Sequence, residues 1–350
     1  MFALNFAVWR CIMVSIKDIA SVCGVSIATV SKALNGHNDV SESTKTLIRE
    51  TAKKMGYLPN SQARALKTNR TYNLGVLFAE QAQSGLTHNH FAAVLNGFKN
   101  EAEANGYDIT FISSRIGSSI MTYYEHCVCR NVDGVVIVCA DDFNDPQVTE
   151  LLDSGVPTVT IDYESSGSPA VLSNNEAGMS ELVRYAYSMG HRKIAYIYGE
   201  TSAVTAARLT GYRDTLKSLN INIRSDYLLQ GRFHDPAATE KLAEKLVRLD
   251  DPPTCIILPD DFSAIGALTA FEKLGMSVPD DISVMGYDGI VLSNYLNPRL
   301  TTFVQDTERI GAEAASQLIA LIKKEIGSDA PPVVVDGCLR EGSSVRKLCR

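Results

Sequence analysis

Residues 14–35, VSIKDIASVCGVSIATVSKALN, constrain the chain more than any other stretch. Ile16, Ile19, Ala20, Val25, Val30 and Leu34 recur at helical spacing, and Gly24 falls where two short helices would turn. Ser26 stands where an N-cap belongs, with a hydroxyl able to accept from the first free N–H groups of a second helix. That helix, Ile27–Leu34, would expose Ile27, Ala28, Thr29, Ser31 and Lys32. A short helix with this mix of small, hydroxyl and basic residues fits the major groove of DNA. A generic helical hairpin has the same periodicity, so the weight falls on the residues after Asn35. A third helix starts at a Ser41 cap and runs from about Glu42 to Met55, ended by Gly56 and Pro59. Then comes NSQARALK (60–67), too short and polar to hold a helix alone.

From Leu74 the pattern changes. Apolar runs at 74–79, 108–113, 134–139, 157–161, 193–198, 254–258 and 282–286 alternate with amphipathic stretches at 91–105, 176–189, 205–219, 236–249, 263–274 and 308–324. Continuous strands alternating with helices predict parallel sheets covered on both faces, and there are too many strands for one sheet. At 350 residues, two or three domains are expected.

Charge divides the chain at the same place. Residues 13–70 hold nine Lys/Arg against four Asp/Glu, a balance of +5. The whole chain carries −7 and Arg10 is the one earlier cation, so residues 71–350 carry −13. A basic head on an acidic body is the electrostatic pattern of a DNA reader with a second task, although acidic bodies also serve solubility.

Eight cysteines, at 11, 23, 127, 129, 139, 255, 338 and 349, form no CxxC and no zinc spacing. Cys139 and Cys255 read as core thiols, and no metal or cofactor is expected. GxSxG, P-loop and HExxH signatures are absent, which argues against an enzyme. Residues 1–12 (MFALNFAVWRCI) lack a basic start and a cleavage site and are too short to span a bilayer, so they read as an unstructured extension with no membrane role.

Ligands of open α/β sheets bind at the carboxyl ends of strands. Asp162 ends PTVTID, Asp260 and Asp261 end CIILPDD, and Asp288 ends SVMGYD; Arg208 comes shortly after KIAYIYG, and Phe233 comes directly after QGR. A carboxylate accepting from neighbouring hydroxyls, an arginine donating to others and an aromatic face over the C–H side of a ring together suit a polyol. Asp261 could instead cap the helix beginning near Phe262, and Asp162 could hold a turn.

The chain from about Met13 resembles the lactose/galactose-repressor (LacI/GalR) family of bacterial transcription regulators. The likeness rests on IKDIA…GVS.ATVSKALN…VSEST…GY.PN..AR.L, then GHRKIAYI, RLTGY (208–212), DFSAIGAL (261–268), VPDDISVMGYD (278–288) and LTTF (300–303), in order and at ordinary spacing. The resemblance implies an α/β protein. A three-helix helix-turn-helix domain (13–59) and a hinge (60–71) would precede a periplasmic-binding-protein-like core of two doubly wound parallel-sheet subdomains. The boundaries expected are 72–162 with 300–326 for the first subdomain, and 163–299 with 327–350 for the second.

By motif position, Ile27, Ala28 and Lys32 would read base edges. Ser26, Thr29, Ser31 and Asn35 would hold phosphates. In the hinge, Leu66 would wedge into the minor groove, supported by Asn60, Ala63 and Arg64. Lys32 stands where many relatives have Arg, which gives up the two-point fork. Arg208, Phe233, Asp260 and Asp288 match the effector-contacting set of sugar-responsive relatives, and His90 and Phe91 sit where relatives line the cleft; Asp162 and Asp261 complete the candidate site.

The implied function is a cytoplasmic repressor, nucleoid-associated when bound. As a homodimer it would bind a palindromic double-stranded DNA operator and be released by a sugar or sugar phosphate. With no heptad tail after LREGSS, a dimer is expected rather than a tetramer. A corepressor-type regulator with a purine-like ligand, or a receptor without DNA binding, are the alternatives.

Overall fold

A computed structural model describes residues 14–57, 70–79, 85–140 and 142–348. The chain divides into two compact units that meet at Thr71 and Tyr72.

The first unit contains α1 (Ile16–Cys23), α2 (Ile27–Leu34) and α3 (Glu42–Lys54). Ser15 begins α1 in a capping box: its Oγ accepts from Asp18 N at 3.3 Å, and the Asp18 carboxylate accepts from Ser15 N at 2.8 Å. Gly24 ends α1 in the left-handed region, at φ 65°, where a β-carbon would be strained. Ser26 Oγ accepts from Thr29 N at 3.0 Å to begin α2, and Ser41 caps α3 through Thr44 N. Ile19, Ala20, Val30, Ala33, Val40, Ile48 and Ala52 form the core these helices share.

The second unit runs β1 (Asn73–Ala79), α4 (Asn89–Ala104), β2 (Asp108–Ile112), the short hairpin β3 (Arg115–Ile116) and β4 (Ser119–Ile120), α5 (Tyr123–Arg130), β5 (Gly134–Ala140), α6 (Pro146–Asp153), β6 (Thr158–Ile161) and β7 (Ala170–Ser173). It continues with α7 (Asn175–Ser188), β8 (Ile194–Tyr198), α8 (Ala203–Ser218), β9 (Leu228–Gln230), α9 (Pro236–Val247), β10 (Cys255–Ile257), α10 (Ala264–Lys273) and β11 (Ser283–Asp288). Last come β12 (Thr301–Val304), α11 (Thr307–Lys323), β13 (Val333–Val335) and β14 (Cys338–Arg340).

One sheet has the order β13-β7-β6-β5-β1-β2, all parallel; the other has β14-β12-β11-β10-β8-β9, parallel except for β14. Their central strands are apolar throughout, as expected where helices cover both faces. Val135, Val136, Ile137, Ile256 and Ile257 are all fully buried. Helices α4 and α11 approach backbone to backbone over the first sheet: a β-carbon on Gly311 would lie 1.9 Å from Val94 O, and one on Gly97 would lie 2.1 Å from Glu308 O.

The sheets correct the expected subdomain boundaries. Ala170–Ser173 and Val333–Val335 belong to the first sheet, although the second subdomain was expected to hold them. Thr301–Val304, expected in the first, pairs with Met285–Asp288 of the second sheet. A short apolar run predicts a strand but carries nothing about which neighbour it joins. The chain therefore crosses between subdomains after Ser173, after Val304 and after Val335. The three crossings lie against one another. Asn174 Nδ2 donates to Asp336 Oδ1 at 2.7 Å, Asn174 N donates to Val335 O at 3.0 Å, and Gly337 lies so close to Val304 that a β-carbon would sit 2.3 Å from its carbonyl oxygen.

Candidate functional site

The helix-turn-helix presents one open face. Ile27, Ala28, Lys32 and Asn35 are exposed, and Thr29 and Ser31 are half-buried beside them. Ile27, at the start of the helix, is 49% exposed. Ser26 and Thr29 share a hydroxyl contact at 2.8 Å, and Asn35 Nδ2 donates to Ser31 O at 2.6 Å. Lys32 forms a salt bridge with Asp39, a residue that no sequence motif singles out. Asn60, Ala63, Arg64 and Leu66 lie outside the described residues, as does the segment 1–13.

In the second unit, the carboxyl ends of both sheets bring most of the expected cleft residues together. Arg208, on the first turns of α8, is 4% exposed. Its Nε donates to Asn175 Oδ1 at 2.8 Å and its Nη1 to Pro259 O at 3.0 Å, while Nη2 lies 3.7 Å from Asp288 Oδ1. The guanidinium stacks 3.5 Å over the Tyr287 ring and lies 5.6 Å from the Phe233 ring. Burial works against its charge, but Tyr287, Asp288, Tyr196 and Asp162 together offset it, so its pKa lies above the ordinary arginine value.

Asp288 leaves β11 at φ 95° and accepts from Gln305 Nε2 at 2.7 Å. The same Gln305 nitrogen lies 3.3 Å from His90 Nδ1, so His90 of the first subdomain meets Asp288 of the second through one amide. Burial lowers the pKa of His90, with Asp288 pulling the other way. Among the described residues, Gln305 Oε1 and His88 Nδ1 are buried without a hydrogen-bond partner. Asp162 and His234 share with Asp288 a positive φ, at 53° and 56°. A non-glycine residue in that region costs energy and is retained where surrounding structure over-determines it, commonly at functional sites.

A row of rings runs from one subdomain to the other. Phe262 stacks on His234 at 3.9 Å, His234 faces His88 at 4.4 Å, and His88 lies 4.8 Å from Phe91. Phe233 lies against Gly199, where a β-carbon would come within 2.2 Å of its ring. The expected site did not include His88, His234, Phe262 and Gln305; Phe262 falls within the DFSAIGAL motif, and no motif marks the other three. The signal that could have found Gln305 is its position directly after a strand, the same rule that found Asp162 and Asp288.

Asp261 is a correction. It is fully buried, and both oxygens are taken inside the protein, by Thr302 Oγ1 at 2.5 Å and Ile290 N at 2.9 Å. Its burial pushes the carboxyl pKa well above the usual range. It braces β11 and β12 beneath the cleft and presents no surface to a ligand. The turn-capping task falls instead to Asp260, which accepts from Ser263 N, Ser263 Oγ and His234 N at 2.8–2.9 Å and has its pKa raised by burial and by Asp288. Asp162 accepts from Ser173 N and Oγ at 2.6 and 3.0 Å, bracing β6 to β7 while its charge still acts on Arg208 and His90.

Of the cysteines, Cys255 is buried with its thiol pKa pushed up, Cys127 is buried and pushed up to about 12, and Cys139 is only half-buried. No group of three His, Cys, Asp or Glu among the described residues could hold a metal ion, and no helix among them is long and apolar enough to cross a membrane.

Comparison with known proteins matches both units. Residues 15–60 match the family described as bacterial regulatory proteins, lacI family, and residues 183–345 match a periplasmic binding protein-like domain. The chain is 32% identical over 339 residues to the probable HTH-type transcriptional repressor ExuR of Bacillus subtilis (strain 168), covering 96% of this chain and 99% of that protein. It is 30% identical over 340 residues to the HTH-type transcriptional repressor PurR of Vibrio campbellii, covering 94% and 99%. Among solved structures, the lac repressor dimer bound to operator and the anti-inducer ONPF superposes with a TM-score of 0.81 at 23% identity, over 95% of this chain and 99% of that one. The two sequence relatives are transcriptional repressors, not enzymes.

Proposed function

From the premise that the chain belongs to the LacI family of DNA-binding transcriptional repressors, we propose that it binds a near-palindromic operator as a homodimer and is released by a small sugar-like molecule, a sugar or sugar phosphate, held in the interdomain cleft. Two recognition helices reading two half-sites need a two-fold axis. Ile27 and Ala28 meet thymine methyls or closely approached bases, Lys32 donates to guanine N7 and O6, and Ser26, Thr29, Ser31 and Asn35 hold phosphates. In the hinge, Leu66 wedges into the minor groove with Asn60, Ala63 and Arg64 beside it.

The observation that carries the ligand reading is the buried polar cluster of Arg208, Asp288, Gln305 and His90, with a carboxamide oxygen and, on His88, a ring nitrogen left unpaired. Neighbouring hydroxyls supply what these groups lack, accepting from Arg208 and donating to Asp288 and Gln305 Oε1, while Phe233 covers the ring. Because His90 and Phe91 belong to one subdomain and Arg208, Phe233, Asp260 and Asp288 to the other, a ligand held by both favours the closed cleft. It moves the DNA-binding equilibrium only by its preference for that state, about 1–3 kcal/mol in typical cases.

The row Phe91, His88, His234 and Phe262 favours a second reading, in which a flat purine-like base stacks there and promotes DNA binding. An operator titration against a panel of sugars, sugar phosphates and nucleobases separates the two. Release by a sugar supports the first reading; tightening by a nucleobase with no response to sugars overturns it.

A further inference from the structure

The recognition helix IATVSKAL has one cation, Lys32, and that cation is already engaged. Its Nζ is bonded to Asp39, on the loop that joins α2 to α3. Both side chains are about half exposed, at 50% and 53%. The Lys32 hydrogen bond is the main cause that holds the Asp39 carboxyl below the usual carboxylate range, so Asp39 stays ionised at working pH. An exposed pair of this kind adds little to stability. The loop has other anchors: Val40 is buried in the three-helix core, and Ser41 Oγ caps α3 through Thr44 N.

We propose that Asp39 is a specificity residue of the DNA-reading surface, keeping Lys32 off phosphates and yielding it only to a guanine edge paired with cytosine. This rests on Lys32 being the base reader named above. An unpaired lysine on such a helix is drawn to any phosphate, which raises affinity for all DNA alike. Tying it to Asp39 cancels that attraction and adds a carboxylate that phosphates repel.

Guanine changes the balance. It offers two acceptors, N7 and O6, and an ammonium has three N–H groups, enough for both acceptors and for Asp39. The cytosine opposite presents an N4 amino group, the donor a carboxylate accepts from. Against thymine O4 the carboxylate meets an acceptor instead, and the mismatch is repulsive. Discrimination therefore comes as much from what Asp39 rejects as from what Lys32 binds.

The test uses the full-length protein, an operator selected by that protein from a randomised duplex library, and a random-sequence duplex. Asp39→Asn is expected to raise affinity for random DNA about tenfold and steepen its salt dependence by about one phosphate contact, while changing operator affinity far less. In a Lys32→Ala background the same substitution should raise random-DNA affinity only about twofold, because its main route is gone.

An unchanged operator-to-random ratio overturns the proposal. So does an equal gain in both backgrounds, which would mark a general charge effect, and so does a lowered melting temperature with both DNAs weakened alike, which would mark a loop anchor. Lys32→Ala with no change in base preference would remove the reading of Lys32 itself, and the proposal with it. The other three outcomes leave that reading standing.

Discussion

On the recognition helix Lys32 and Ile27 stand about half exposed, whereas in the cleft Arg208 is 4% exposed and Asp260 2%. The two surfaces handle charge in opposite ways. DNA brings a dense array of phosphates, so the head leaves its charged groups at the water interface, Lys32 with Asp39 beside it, and desolvation is deferred until contact. A small molecule brings few groups, so the cleft must hold its own in place beforehand: Arg208 is fixed by Asn175, Pro259 and Tyr287, and Asp288 by Gln305. Burial then makes each hydrogen bond count for more and each missing one cost more. The same residue type therefore means different things in the two regions. An exposed lysine can be lost with little consequence for its neighbours, whereas losing a buried arginine leaves Asn175, Pro259 and Asp288 short of a partner.

The largest effect is expected at Arg208. Arg208→Ala should abolish the ligand response while leaving operator binding in the absence of ligand intact, with about 2–5 kcal/mol lost in ligand affinity by calorimetry. Arg208→Lys should keep the fold and still lose the response, because an ammonium cannot reproduce the planar contacts to Asn175, Pro259 and Tyr287. A full response in both variants would place ligand recognition elsewhere.

Acid should separate the regions next. His191 is 1% exposed, with Nε2 donating to Arg346 O at 3.0 Å and Nδ1 paired to the Thr254 hydroxyl at 2.9 Å. Burial lowers the pKa of both His191 and His90. Below the unfolded histidine pKa of about 6.5 the unfolded chain then binds protons that the folded core does not, so core stability falls with pH. The loss is up to about 1.4 kcal/mol per pH unit for each histidine until the folded pKa is reached. In the head the lowered groups are carboxylates, Asp18, Asp39 and Glu42, whose contribution is present above their unfolded pKa and lost only as pH falls through the lowered folded values. Asp260 and Asp261, whose carboxyl pKa burial raises, bind protons in the folded core first and oppose this loss. Urea unfolding of the full chain between about pH 7.5 and 5.5 should therefore show a core transition that weakens relative to a His191→Gln variant, and a head transition that holds. His191→Gln should shallow the core's slope, and parallel loss in both transitions would break the contrast.

Lys32→Ala should relax base choice at one position in each half-site by about 1–3 kcal/mol without moving the melting temperature, as read by binding to operators substituted base by base. Equal loss on operator and random DNA would make Lys32 a phosphate contact. The smallest effect is at Ser26. Ser26→Ala removes the cap on the recognition helix and should cost the head about 1 kcal/mol, seen in its own unfolding transition and not in the core's.

The three-helix head is legible from residues 14–55 because local chemistry decides local structure there. Ser26, Ser41 and Gly24 cap and turn the helices as their side chains and φ preferences require. The capping box of Ser15 and Asp18 is equally local, written in the sequence as S-x-x-D. In the core, strand-end position brings out Asp162, Asp260 and Asp288, but position does not say where a carboxylate points. Asp261 obeys the same rule and turns inward to Thr302 and Ile290, because those partners come from segments about 30 to 40 residues away in sequence. His88 and His234 are invisible for the same reason: they are 146 positions apart, and only the closure of two subdomains sets their rings together.

The three crossings between subdomains are laced edge to edge through Asn174, Asp336, Gly337 and Val304. Three parallel straps joined side by side bend readily in one direction and resist twisting and shear, as a door hung on three knuckles does. The closure proposed above would then run along essentially one path, and differently shaped ligands would produce the same motion in different amounts. Gln305 sits on the strap that follows Val304 and touches Asp288 on one side and His90 on the other. On the proposed reading a ligand bound there would make its hydrogen bonds at the pivot, where a small change in one contact sweeps the far ends of the subdomains through a much larger arc.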